Sequence, residues 1–149
     1  MNKLIASWFG IGYIKGGGTI AAAVTCGLVF LFWKTPAAQN AWIFFALTII
    51  ITLLGIYVGN KVEPFWGKDS YRVVIDEVAG MMVTLLFLPL NVYILLIGFV
   101  LFRFFDILKP LYIRKMEALP AGTGVMMDDV LAGVYGNIVL QILVLFVKF

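Results

Sequence analysis

The sequence predicts an all-α integral membrane protein, a compact bundle of about five transmembrane helices. The chain of 149 residues is 63% hydrophobic and has a mean hydropathy of +1.06, whereas soluble domains are nearer half apolar. Several long stretches lack charge and approach the roughly 20 apolar residues that a spanning helix needs. The basic residues are grouped in the short hydrophilic gaps between these stretches. Length and hydropathy together predict a single transmembrane domain over residues 1–149.

The uncharged stretches define the predicted helices. One of them, Val78–Phe102, contains Pro89 and Asn91, which disfavour a helix interior and favour a turn. We therefore predict that the chain reverses there and that this stretch belongs to two helices. The five predicted helices cover about 17–33, 41–58, 71–88, 91–108 and 128–147. The apolar segment Leu4–Ile14 is too short to span and is predicted to lie at the membrane interface.

The distribution of lysine and arginine favours five helices over four. With five, nine basic residues fall on one side and only Lys34 and Lys148 on the other, which is a strong positive-inside bias. With four helices the division is nearly even. The N-terminus is therefore predicted in the cytoplasm. The mild net charge of +3 does not suggest a nucleic-acid partner, and the oligomeric state is left open.

Five of the eight acidic residues lie at the edges of the predicted helices or inside them, all on the predicted cytoplasmic side. Ionised groups at membrane depth are costly, so they mark a candidate functional site. Acids in the first turn of a helix also complement the helix dipole, which is the alternative explanation for each pair taken alone. These acidic residues are Asp76, Glu77, Asp106, Asp128 and Asp129.

Small and polar residues continue the acidic positions along the helices. Asp129, Gly133, Asn137 and Gln141 repeat at a spacing of four, so this face is predicted to look inward. Asp76 and Gly80 have the same spacing, and a glycine allows a second helix to approach closely.

Carboxylates gathered in one place repel one another, and two nearby cations do not neutralise five of them. A hard divalent cation with oxygen ligands would, and magnesium is the natural candidate. Arg103 and Lys109 flank Asp106, and arginine offers a planar fork suited to phosphate. A local ion pair of Arg103 with Asp106 is compatible with that role. Such a site suits metal-assisted phosphoryl chemistry.

The remaining sequence features either are weak evidence for a site or exclude certain reaction mechanisms. The segment Lys15–Thr19 contains three consecutive glycines that can turn N–H groups toward an anion, although it is not a P-loop. The chain has no histidine, which removes histidine-based phosphatase and zinc mechanisms. Its one cysteine, Cys26, is interpreted as a small core residue.

Three segments together resemble phosphatidylglycerophosphatase A. They are Asp76–Gly80, Phe102–Pro110 and Gly124–Gly133, with Phe-Arg-x-Phe-Asp-x-x-Lys-Pro and Asp-Asp-x-x-Ala-Gly as their most specific elements. The resemblance extends from about residue 10 to 136. It implies a magnesium-dependent lipid phosphatase that converts phosphatidylglycerophosphate to phosphatidylglycerol in the bacterial inner membrane, with its site at the cytoplasmic face.

Each candidate residue has an expected role. Metal ligation, direct or through water, is assigned to Asp76, Glu77, Asp128 and Asp129. Asp106 has three open roles: orienting the attacking water, completing the metal shell, or acting as nucleophile. Phosphate binding is assigned to Arg103 and Lys109, and less firmly to Lys15 and Thr19.

Two other functions are weighed against this one. A cation transporter or channel would use the acids as an ion path, but a path needs polar groups across the full membrane thickness. A CDP-alcohol phosphotransferase would also use intramembrane acids and metal, but its Asp-Gly-x-x-Ala-Arg opening is absent from the sequence.

Overall fold

The computed structural model describes residues 1–33, 35 and 40–147, and this part of the chain is all-helical, as predicted, with no β-strand. Lys34 and Lys148, which entered the charge count, lie outside the described residues. The elements are α1 (Asn2–Ala6), a 3-10 turn (Ile11–Tyr13), α2 (Gly17–Trp33), α3 (Ala41–Trp66), α4 (Ile75–Thr84), α5 (Val92–Leu108), α6 (Ile113–Met116) and α7 (Ala121–Phe146).

Five of these helices have ten or more residues and occupy the predicted places, but three have different bounds. Helix α3 continues to Trp66, well past the predicted end at residue 58. Helix α4 covers only Ile75–Thr84 within the predicted 71–88. Helix α7 begins at Ala121, so Asp128 and Asp129 lie about two turns inside it. The proposed dipole role of this pair in a first turn is therefore wrong.

The predicted reversal between α4 and α5 is present. Phe87 adopts a left-handed conformation (φ 57°) just after α4 ends. Asn91 then caps α5, because its side-chain oxygen accepts a hydrogen bond from the Ile94 amide at 3.0 Å. Val78–Phe102 is thus two helices joined by a tight turn.

Helices α4 and α7 form the centre of the bundle and run parallel, in register. A Cβ added at Gly80 would lie 2.6 Å from the Asp129 carbonyl oxygen, and one added at Gly133 would collide with the Gly80 carbonyl. One end of this pair brings Asp76 beside Asp129. Since both glycines lack a side chain, the two backbones approach closely and their acidic ends are held side by side.

The other long helices surround this pair. Helices α3 and α5 both pack against α7, and α2 packs against α4. Nearly all of α4 is buried, whereas α2, α3, α5 and α7 expose many large apolar side chains. Two helices, Ala41–Trp66 and Ala121–Phe146, are long and apolar enough to cross a membrane, and Gly17–Trp33 is a shorter apolar helix.

The N-terminal segment packs onto the bundle. Ala6 and Ser7 are fully buried. The Val74 amide donates a 2.9 Å hydrogen bond to the Ala6 carbonyl, just before α4 begins. The segment therefore helps to fix the start of the helix that carries Asp76 and Glu77.

Candidate active site

Three carboxylates converge where α4 and α7 lie side by side. Asp76 and Glu77 come from the first turn of α4, and Asp129 comes from the interior of α7. One oxygen from each of the three lies within 4.8 Å of the others. We call these three residues the acid cluster. Asp76 and Asp129 expose only 7% and 4% of their surface, so solvent does little to screen their mutual repulsion.

Two oxygens of the acid cluster have no partner. Glu77 Oε2 and Asp129 Oδ2 are buried and accept no hydrogen bond from any described residue. A buried carboxylate oxygen without a donor is costly, and such an atom in a native site calls for a missing ligand. Three converging carboxylates, two of which carry a partnerless oxygen, are a donor set that Mg²⁺ prefers, so these residues fit a divalent cation.

Asp106 and Arg103 border the acid cluster from α5. Arg103 Nη1 donates to Asp106 Oδ2 one helical turn away, so the predicted ion pair is present. Asp106 interacts electrostatically with Asp129 and Glu77, and Arg103 attracts Glu77. Arg103 Nε is buried and donates to none of the described residues. The guanidinium thus keeps a free donor beside the cluster, as an anion-binding arginine requires.

Asp128 has a different environment from its neighbour Asp129. Lys109 Nζ donates to Asp128 Oδ2 and to Glu117 Oε1, both at 2.6 Å. We call Lys109, Glu117 and Asp128 the lysine triad. Burial on its own would lower the pKa of the Lys109 ammonium, but the bonds to Asp128 and Glu117 outweigh burial and raise this pKa above its ordinary value. Lys109 is therefore a fixed cation paired with two acids.

Lys109 of the lysine triad lies at the backbone turn that ends α5. Lys109 ends α5 in a left-handed conformation (φ 44°), and its amide still bonds to the Phe105 carbonyl. This turn directs the chain past α6 toward α7. The segment between the fourth and fifth predicted helices, Lys109–Met127, contains α6 and the first two turns of α7.

Glycine 18 lets α2 approach the acid cluster. A Cβ added at Gly18 would collide with Glu77 Oε1 and lie 2.8 Å from Glu77 Cδ. The glycine-rich segment therefore packs directly against a site carboxylate. Lys15 and Thr19, the weaker phosphate candidates, are exposed at the start of α2.

The structure thus brings together Asp76, Glu77 and Asp129, with Arg103 and Asp106 at the border. Asp128 and Lys109 lie apart from this group and form an ion pair with each other. Sequence reasoning missed Gly18 and Glu117. The run of three glycines was a signal for the first of these. Glu117 has no regular spacing to Lys109, so nothing in the sequence pattern indicated it.

The polar residues beyond the acid cluster satisfy backbone groups. Asn137 Nδ2 donates to the carbonyls of Thr84 and Leu86 at 3.0 and 2.9 Å. Gln141 Nε2 donates to the carbonyls of Leu86 and Phe87 at 3.3 and 3.4 Å. These side-chain amides satisfy backbone carbonyls at the end of α4 and just after it. The polar stripe of α7 is therefore an internal scaffold and does not extend the acids into an ion path.

Comparison with known proteins agrees with the motifs. A family model described as phosphatidylglycerophosphatase A matches residues 4–144. A Bacteroides thetaiotaomicron protein named putative phosphatidylinositol-3-phosphatase is 41% identical over 144 residues, covering 93% of this chain and 91% of the relative. Phosphatidylglycerophosphatase A of Haemophilus influenzae is 38% identical, covering 91% of this chain and 84% of the relative. The Escherichia coli protein of that name is 35% identical over 97 residues, covering 62% and 56%.

No solved structure matches the chain. The family match spans the acid cluster, Arg103, Asp106 and the lysine triad. The chain therefore belongs to the phosphatidylglycerophosphatase A family and is a phosphatase enzyme.

Proposed function

We propose that this protein is a magnesium-dependent phosphomonoesterase that converts phosphatidylglycerophosphate to phosphatidylglycerol at the cytoplasmic face of a bacterial inner membrane. The observation that carries this proposal is the acid cluster, with its two partnerless buried oxygens beside the free Nε of Arg103. Family membership supplies the substrate class, because two relatives carry the name phosphatidylglycerophosphatase A.

Asp76, Glu77 and Asp129 would hold the metal through oxygens that face one another within 4.8 Å. When bound, Mg²⁺ polarises a phosphoryl oxygen and lowers the pKa of water. Asp128 was predicted as a fourth ligand. Its Oδ2 is engaged by Lys109, and its Oδ1 accepts the Asp129 amide at 2.9 Å. We therefore assign it to positioning Asp129.

Arg103 would bind the substrate phosphate and stabilise the charge that develops on its oxygens during transfer. Asp106 holds one nitrogen of that guanidinium, while the buried Nε donates to no described residue. In the hydrolysis, water forms a bond to phosphorus while the bond from phosphorus to the glycerol oxygen breaks. That glycerol oxygen takes one proton from the attacking water, whose oxygen leaves as part of inorganic phosphate. Asp106, facing Asp129, is placed to orient the water or to attack phosphorus itself.

A membrane location is supported by where the apolar surface lies. The charged site is buried inside the bundle while large apolar side chains face outward, among them Trp42, Leu145 and Phe146 at 71%, 80% and 84% exposure. Water solvates such a surface poorly, and lipid solvates it well. The strong charge bias of the loops supports a multi-pass protein with its N-terminus and site on the cytoplasmic side.

A second substrate deserves a test because of one relative. The Bacteroides protein is named putative phosphatidylinositol-3-phosphatase and covers 93% of this chain. Phosphatidylinositol 3-phosphate is also a lipid phosphomonoester, so the same cluster would serve it. The two lipids differ in what separates the phosphomonoester from the membrane: a glycerol in one, and an inositol ring in the other.

The test is phosphate release from purified protein in lipid or detergent. Phosphatidylglycerophosphate, phosphatidylinositol 3-phosphate and phosphatidic acid are each supplied, with magnesium or with a chelator. We expect magnesium-dependent release that is fastest from phosphatidylglycerophosphate. Faster release from the inositol lipid would replace the proposed substrate, and undiminished release with the chelator would remove the metal from the proposal.

A further inference from the structure

An apolar groove runs along the side of the bundle between α2, α3 and α4. It encloses about 380 Å³, within the usual range of ligand pockets. Its walls include Thr25, Val29 and Phe32 from α2, Phe44 and Leu47 from α3, and Met82 from α4. Phe32 and Leu47 at its rim are 62% and 49% exposed, so the groove opens sideways. We call it the lateral groove.

The lateral groove is suited to hydrocarbon. Two threonines line its wall, and both hydroxyls are already engaged: Thr25 donates to the Ala21 carbonyl at 2.8 Å and Thr35 donates to the Phe32 carbonyl at 2.7 Å. The rest of the named wall consists of aliphatic, aromatic and thioether side chains. A polar ligand would lose hydration there without finding partners, whereas an alkyl chain would gain from burial.

One end of the lateral groove lies on the side of the acid cluster along α2 and α4. Gly18, which packs against Glu77, is followed by Thr25 and Phe32 at intervals of seven residues, so all three lie on one face of α2. At 1.5 Å per residue, Thr25 lies about 10 Å and Phe32 about 21 Å beyond Gly18 along the helix. On α4, Val78 lines the groove next to the site residue Glu77. The end of the groove formed by Thr25 and Val78 is therefore the end nearest to the carboxylates.

We propose that the lateral groove binds one acyl chain of the lipid substrate, so that this enzyme selects long-chain lipid phosphates through α2 and α3. The inference rests on the proposed function, since it takes the substrate to be a lipid whose phosphate lies at the acid cluster. A chain continuing from that phosphate along α2 passes Thr25 and leaves the protein at the open rim near Phe32. The groove holds the lipid at a fixed distance from Arg103, which raises the effective concentration of its phosphate at the site.

Groove-filling variants test the proposal. Leu28→Trp and Leu47→Trp enlarge side chains that line the groove and are already 38% and 49% exposed. Leu31→Trp on α2 and Leu53→Trp on α3 are matched controls. They make the same change on the same helices, at positions 63% and 62% exposed that do not line the groove. Each protein is assayed on dipalmitoyl and on dihexanoyl phosphatidylglycerophosphate.

We expect the two groove variants to lower kcat/KM for the dipalmitoyl lipid by about tenfold, the loss of roughly two buried methylene groups. Activity on the dihexanoyl lipid and on both lipids in the controls should stay near wild type. Equal losses on both lipids, or equal losses in groove and control variants, would overturn the proposal. If the wild-type protein releases no phosphate from either lipid, the proposed function fails instead.

Labelling gives a second measurement that does not depend on turnover. A non-hydrolysable phosphonate analogue carries a photoactivatable diazirine midway along one acyl chain, and labelled peptides are mapped by mass spectrometry. Labels should concentrate on groove residues of α2 and α3 and fall when unlabelled substrate lipid is added. Labels spread equally over the outward positions Leu31 and Leu53, unaffected by competitor, would show bulk lipid only and contradict the proposal.

Discussion

Asp128 and Asp129 are adjacent in sequence and nearly equally buried, yet the balance of charge around them differs. Asp128 lies in the lysine triad, where a cation donates to it at 2.6 Å. Asp129 lies in the acid cluster, where its neighbours are carboxylates and one of its oxygens has no partner. The comparison shows that the charge balance around a buried acid separates a structural role from a ligand role, because only the unbalanced site gains when a cation binds.

The largest expected effect is a difference in activity between variants of these two aspartates. Asp129→Asn should lower kcat about 10³-fold, because the cluster loses a ligand oxygen where charge develops. Removing one of several buried like charges should leave its thermal stability equal or higher. Asp128→Asn should cost less activity but about 1.5 kcal/mol of stability, since Lys109 loses a charge-assisted hydrogen bond.

Phosphate release and thermal unfolding, measured on both variants, check this contrast. Glu63→Gln, an acid outside both regions, is the matched control and should behave as wild type. If the two aspartate variants lose activity equally at unchanged stability, the distinction between the regions is wrong.

Magnesium should stabilise the protein through the acid cluster alone. At 100 times its Kd, a ligand adds about 2.7 kcal/mol, which corresponds to a rise in Tm of several degrees for a chain of this size. Wild type and Lys109→Met should both show the rise, whereas Glu77→Gln should lack most of it. Differential scanning fluorimetry with and without magnesium measures this. A full shift in Glu77→Gln would exclude that residue from the metal site.

Breaking the lysine triad should destabilise the fold in a way that its partner change reverses. Lys109→Met leaves Asp128 buried without its cation, which we expect to cost about 2 kcal/mol, less than for a fully buried pair because the lysine is 22% exposed. The double variant Lys109→Met/Asp128→Asn should recover about 1 kcal/mol of that loss. Chemical denaturation of the three variants gives the coupling energy. Strictly additive losses would mean that the pair does not act as a unit.

The smallest effect should come from crowding the acid cluster from outside. Gly18→Ala places a methyl group against the Glu77 carboxylate and should reduce kcat/KM about tenfold by displacing that oxygen. Gly27→Ala on the same helix is the control, because a Cβ there meets nothing within 4 Å. Assays of both variants at saturating magnesium compare them. Wild-type activity in Gly18→Ala would mean that Glu77 moves aside freely.

Hydropathy and proline placement were enough to predict where the five longer helices lie, though not the ends of three of them, because charge-free segments and turn residues act locally. The reversal at Pro89 and the inward stripe of α7 were predictable for that reason. The early end of α4 was not predictable from the sequence. Asn137 and Gln141 reach the carbonyls of Thr84 and Leu86, at that end and just after it, from another helix. Likewise the motifs identified the acids, but only the tertiary structure separates Asp128 from Asp129, because Lys109 approaches from a different element.

The in-register pairing of α4 and α7 has a consequence for bilayers of different thickness. Thr84 lies eight residues beyond Asp76, and Asn137 lies eight residues beyond Asp129. Both helices therefore advance about 12 Å from the acids to the hydrogen bond that Asn137 Nδ2 donates to the Thr84 carbonyl. Sliding one helix along the other would break that bond and force Gly80 against Gly133. In the proposed membrane location, hydrophobic mismatch would therefore be absorbed by tilting of the pair as a unit or by lipid deformation. We expect the acid cluster to keep its geometry in thin and thick bilayers alike.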